Sequence, residues 1–129
     1  MKQLTSYAPA IGWGIFIFII SVIPGKDIPV IESPWDLIKM DKLVHMLIYG
    51  IFMALILRGW TQSPKNEGSI QGMGYWIKAA IMCSLYGLFL EWFQDKYCQD
   101  RAYEFYDALA NAIGSFSAVA IFYCMKRIK

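Results

Sequence analysis

The apolar residues of this chain fall into four separate blocks, Tyr7–Ile23, Leu43–Trp60, Tyr75–Phe93 and Ala108–Met125. A helix that crosses a bilayer needs about 20 predominantly apolar residues, within a range of about 17–25. Each block lies near the short end of that range. A helix in a soluble bundle would need a polar face, and Ile11–Ile23 has none: its only non-apolar side chain is Ser21. Charged residues make up 17% of the 129 residues and hydrophobic ones 57%, against about 25% and 45–50% in soluble domains. So small a globule is mostly surface, and this composition cannot cover that surface with polar groups. The chain is therefore expected to be all-α: an integral membrane four-helix bundle with short loops. Its helices are expected at about 7–23, 43–60, 75–93 and 108–125, in a single domain spanning 1–129.

The N-terminal block is not expected to be a cleaved leader. Val22-Ile23-Pro24-Gly25 offers no small-x-small cleavage site. Cys83, Cys98 and Cys124 form no Cys-x-x-Cys and are odd in number, which argues against a disulfide framework or a thiolate metal site.

Between the blocks, Pro24-Gly25 is a stop signal, and Ser33-Pro34-Trp35-Asp36 reads as a helix start with a serine cap, a first-turn proline and an early acid. A short interfacial helix is expected over Ser33–Met40, anchored by Trp35. Thr61–Gly74 reads as a plain connector, and Gln94–Tyr106 as a loop crowded with charges and aromatics. Lys2, Arg58, Lys65, Lys78, Lys126, Arg127 and Lys129 lie on one side of the predicted bundle, against Lys26, Lys39, Lys42, Lys96 and Arg101 on the other. Basic residues accumulate on the cytoplasmic side, so seven against five predicts that both termini are cytoplasmic and that loops one and three face outward.

Three polar clusters interrupt the apolar pattern. Asp41, Lys42, His45 and Tyr49 open the second block, with Asp41, His45 and Tyr49 stacked on one helix face. Glu91 and Gln94 share a face at the end of the third block. Arg101 precedes Asp107, Asn111 and Gly114, which form one stripe entering the fourth. An up-down-up-down path carries all three clusters to one level, on the outward side. A charge at the centre of a membrane helix costs about 2.5–3.5 kcal/mol. Glu91, flanked by Leu90 and Trp92, is thus expected to face inward and pair with Lys42, Arg101 or His45. Gly50, Gly87 and Gly114 would let helices approach closely.

Each residue also has a structural reading. Asp41 and Asp107 fit first-turn helix acids, Lys42 a side chain reaching for headgroups, His45 a bonded interior histidine, Asn111 interhelical glue and Arg101 a loop charge. Trp35, Trp92, Tyr97, Tyr103, Phe105 and Tyr106 fit an aromatic belt.

The ordered set Ser21-Val22-Ile23-Pro24-Gly25, Asp41-Lys42-x-x-His45-x-x-x-Tyr49, Glu91-x-x-Gln94, Arg101 and Asp107-x-x-x-Asn111-x-x-Gly114 resembles the pattern of VanZ-like membrane proteins, from about Ser21 to Gly114. Tyr103-Glu104-Phe105-Tyr106 is bulkier than that resemblance implies. The resemblance implies a protein of the bacterial cytoplasmic membrane engaged in cell-envelope work, linked through the family's namesake to low-level teicoplanin resistance.

The residues leave three readings open. In the first, Lys42 and Arg101 hold an anionic lipid headgroup or a lipid-linked cell-wall precursor, with Asp41, Glu91 and Asp107 orienting them. In the second, Asp41, His45, Glu91 and Asp107 serve a divalent metal or acid/base hydrolysis of a lipid-linked phosphate. The absence of H-E-x-x-H and of an obvious nucleophile weighs against catalysis, so no catalytic residue, metal ligand or cofactor is assigned. In the third, the cluster is a clamp between helices. Membrane lipids are the expected partners and nucleic acid is not. The oligomeric state stays open.

Overall fold

A computed structural model describes residues 2–23, 34–63, 72–98 and 103–128 of the chain, with side chains from Thr5 in the first segment and from Met40 in the second. Among these residues there are four helices: α1 (Lys2–Ser21), α2 (Pro34–Gln62), α3 (Met73–Tyr97) and α4 (Phe105–Ile128). The all-α expectation therefore holds, and each apolar block lies within one helix save for the last residues of the first, past Ser21.

The helices run beyond the apolar blocks, which moves several polar residues from expected loops onto helix ends. α2 begins at Pro34, where a proline loses no helical hydrogen bond. It then continues unbroken through Asp41 and Lys42, so the expected separate interfacial helix is instead the first turns of α2. No glycine or proline lies between Trp35 and Tyr49 to break it. α3 continues through Gln94 to Tyr97, with Lys96 favourably placed in its last turn. Glu104 caps α4 through its backbone oxygen, which accepts from the N–H groups of Asp107 and Ala108.

Among the described residues, three helical stretches are long and apolar enough to cross a membrane: Met40–Gln62, Met73–Tyr97 and Phe105–Ile128. The apolar stretch of α1, Thr5–Ser21, is shorter. Contacts near both ends nevertheless tie α1 to α3. The Tyr7 and Tyr75 hydroxyls are 3.3 Å apart at one end, and the Gln94 side-chain amide donates to the Ser21 carbonyl at 3.0 Å at the other. α1 thus touches α3 near both ends of the longer helix.

Polarity is distributed as lipid demands. Ile15, Leu47, Met82, Leu85 and Ile121 are more than half exposed, while Asn111 and Ser115 are almost fully buried. Water inside a soluble protein's surroundings would penalise the first group, and hydrocarbon would penalise exposure of the second. This is the surface of a membrane protein.

Two packing modes build the bundle. α2 and α4 form the closest pair. Gly50 faces the Gly114 backbone, and a side chain on Gly114 would collide with the Met46 carbonyl oxygen, so the helices touch backbone to backbone as small residues permit. Between α1 and α3 contact is sparser. Hydrogen bonds bridge them, among them the two already named and one from the Tyr86 hydroxyl to the Gly14 carbonyl at 2.9 Å. Between α1, α2 and α3 lies an apolar groove of about 880 Å³, bordered by Ile11, Ile15, Phe52 and Met82. On the other side of α1, the Trp13 indole donates to the Ile48 carbonyl of α2 at 3.0 Å.

Gly114→Ala should destabilise the bundle by about 1–3 kcal/mol, the usual cost of overpacking, because the Met46 backbone cannot yield as a side chain could. Gly12→Ala, with nothing within 4 Å of the added carbon, should be neutral or stabilising by up to about 1 kcal/mol. Thermal unfolding of the purified variants in detergent micelles checks both.

Candidate functional site

At the end of the bundle that holds Ser21 and Gln94, side chains from α2, α3 and α4 meet. Lys42 sits one turn before Met46 on α2 and reaches across to the start of α4. Its ammonium forms an ion pair with Asp107 Oδ1, lies 2.7 Å from Glu104 Oε2 and 3.3 Å from Asp41 Oδ2. Asp107 is buried, whereas Asp41 and Glu104 are about half exposed. The Lys42–Asp107 contact is the costly one to break, since the buried Asp107 carboxylate left alone would have little water in place of its partner. The two exposed contacts are screened and weak by comparison.

His45 lies one turn deeper than Asp41 on the same face of α2. Its Nδ1 is 2.9 Å from Asn111 Oδ1. A carbonyl oxygen only accepts, so Nδ1 carries the proton and donates. Nε2 is the other ring nitrogen. It points between Asp41 Oδ1, 3.8 Å away, and Asp107 Oδ2, 3.7 Å away. Both aspartates are thus shared: one oxygen of each faces Lys42 and the other faces His45. Glu91, buried on α3, approaches the opposite side of the ring, with Oε1 4.0 Å from Nδ1. Asn111 is fixed in turn. Its side-chain nitrogen lies against Gly87, where an added carbon would stand 2.7 Å away, and the Ser115 hydroxyl donates to its backbone oxygen at 3.0 Å.

Searches against protein-family models, curated protein sequences and solved structures return no match for this chain. The site is therefore read from its own geometry.

Of the residues singled out in the sequence, Asp41, Lys42, His45, Glu91, Asp107 and Asn111 come together. Tyr49 lies one turn below His45 and packs with Ile17 and Leu90, edge-on to Phe52, as an apolar floor. Gln94 turns away from the centre and ties α3 to the end of α1. Arg101 lies outside the described residues. Among the partners expected for Glu91, His45 faces it, while Lys42 goes to the aspartates and Glu104. Asp41 stands about two turns inside α2, too far from the helix start for a first-turn dipole role. Asp107 does occupy the first turn of α4, in addition to its ion pair.

Glu104 is the participant that the sequence pattern passes over. Its position three residues before Asp107, at the cap of α4, is the signal that places it beside Lys42. Around the same end, Trp92, Tyr97, Tyr103, Phe105 and Tyr106 are exposed, as an aromatic belt at a membrane boundary would be. Asp41, His45 and Asp107 also bring three metal-ligand atoms within 4.8 Å of one another.

His45 is the single histidine of the chain, so its ring nitrogens can be read without ambiguity. Nitrogen NMR of labelled protein in micelles, at a pH where the ring is neutral, should show Nδ1 protonated and Nε2 bare. Asn111→Ala, which removes the acceptor, should abolish that preference.

Proposed function

We propose that this chain is a VanZ-like membrane protein of the bacterial cell envelope, and that its polar cluster receives the polar head of an anionic lipid or a lipid-linked cell-wall precursor. The observation that carries the reading is the meeting of Asp41, Lys42, His45, Glu91, Glu104, Asp107 and Asn111 at one end of a lipid-facing bundle. Hydrocarbon gives way to headgroups at such a boundary, and a lipid already lying there need only shift laterally to bring its head to Lys42. The basic residues counted on the other side favour an outward-facing cluster.

Electrostatics refines how an anion would be held. Lys42 already has three carboxylates around it. An incoming phosphate would take the places of Glu104 and Asp41, whose contacts are exposed and weak, and would leave Asp107 as the residue that orients the ammonium.

Lys42→Ala should lower retention of phosphatidylglycerol by purified protein about tenfold, as the loss of one charge-assisted contact of ~1.5 kcal/mol predicts. Lys126→Ala, on the last turn of α4 at the opposite end, should leave retention unchanged. Native mass spectrometry of protein extracted from mixed-lipid vesicles measures both, and equal retention by wild type and Lys42→Ala would refute the reading. In a susceptible bacterium, expression of the wild type should raise teicoplanin tolerance and expression of Lys42→Ala should not.

A further inference from the structure

The geometry points to a binding site for one divalent transition-metal ion, formed by Asp41 Oδ1, His45 Nε2 and Asp107 Oδ2. Three features of the cluster converge on this assignment. First, three ligand atoms, one imidazole nitrogen and two carboxylate oxygens, lie within 4.8 Å of one another. Nε2 stands 3.8 and 3.7 Å from the two carboxylate oxygens, beyond hydrogen-bond distance. With Nδ1 turned to Asn111, Nε2 is the ring nitrogen left facing the two aspartates. A cation among them would offset the repulsion between the two carboxylate oxygens. A metal bound at about 2.0–2.2 Å to such ligands would draw the three atoms closer together than the 4.8 Å within which they now lie.

Second, the surrounding contacts are those that orient metal ligands. A metal-bound histidine donates its other N–H to a carbonyl or carboxylate, which fixes tautomer and ring direction. The Asn111 side-chain oxygen occupies that position for His45, and Asn111 is itself 1% exposed and backed by Gly87. Lys42 holds the second oxygen of both aspartates, so each turns its remaining oxygen toward Nε2. Glu104, also on Lys42, offsets part of that ammonium charge.

Third, the ligands stand on rigid elements. Asp41 and His45 are separated by one turn of α2, Asp107 is buried on α4, and Gly50 and Gly114 fix the distance between those two helices.

One imidazole nitrogen with two carboxylate oxygens suits Zn²⁺ or Mn²⁺ better than Mg²⁺ or Ca²⁺, which favour oxygen-only sets. Asp41 is half exposed, so the remaining coordination positions would open toward the boundary. There they would accept water or a phosphate oxygen.

The test uses metal alone, without lipid, so its outcome is independent of the headgroup reading. Chelator-treated full-length protein in detergent micelles is titrated with Zn²⁺ by calorimetry and with Mn²⁺ by loss of the free-ion paramagnetic signal. The expected result is one ion per chain, bound at least tenfold more weakly by Asp41→Asn and by His45→Gln. Asn111→Ala should weaken binding by about 10–100-fold, the usual effect of removing an orienting partner, and Mg²⁺ at equal concentration should not compete. Asp41 is exposed, so Asp41→Asn keeps the test valid if the buried variants fail to fold, which circular dichroism reports. Wild-type binding no tighter than that of Asp41→Asn would overturn the assignment, as would full competition by Mg²⁺.

Discussion

The Lys42–Asp107 ion pair closes the seam between α2 and α4, and most of what is distinctive in this end of the bundle depends on it. Beside hydrocarbon, the buried Asp107 carboxylate is kept charged by the Lys42 ammonium. Their pairing fixes the rotation of both helices about their axes. That rotation sets His45 against Asn111 one turn deeper, and Gly50 against Gly114 deeper still. The glycines let the backbones touch, and the pair and the hydrogen bond decide the register at which they do so. Apolar packing alone, which is as favourable with lipid as with protein, would not single out that register.

The same pairing shapes the electrostatics. Lys42 does not offer a free positive charge: Asp41, Glu104 and Asp107 surround it, and Glu91 stands on the other side of His45. The cluster is richer in acid than a simple anion receptor would be. A dication among Asp41, His45 and Asp107 would reverse that balance and supply a second attraction for a phosphate. The headgroup reading and the metal reading are thus compatible, although neither requires the other.

Much of the fold was legible because hydrocarbon imposes a simple length rule on apolar runs, and the four blocks obey it. The helix ends were less legible. Gln94, Asp95 and Lys96 fell in the expected third loop by polarity, yet all are compatible with helix and none terminates one. The convergence of Asp41, His45, Glu91 and Asp107 followed from helical spacing and alternating direction. Which of them touch did not, because contact depends on helix rotation and on close approach at Gly50, Gly87 and Gly114. Gln94 shows the difference. It shares a face with Glu91, but it lies one turn nearer the end of the bundle, where the Ser21 carbonyl is within reach and His45 is not. Glu104 was passed over because a residue before a helix looks like any other loop acid until the cap is formed.

The central claim, that Lys42 and Asp107 join α2 to α4, is tested most directly by a double-mutant cycle. Lys42→Met, Asp107→Asn and the double variant would be unfolded in detergent micelles beside the wild type. A coupling energy of at least about 1.5 kcal/mol is predicted for a charge-assisted contact with one buried partner. Additive effects, with coupling below about 0.5 kcal/mol, would contradict the account and leave the register of α2 and α4 to the glycines alone.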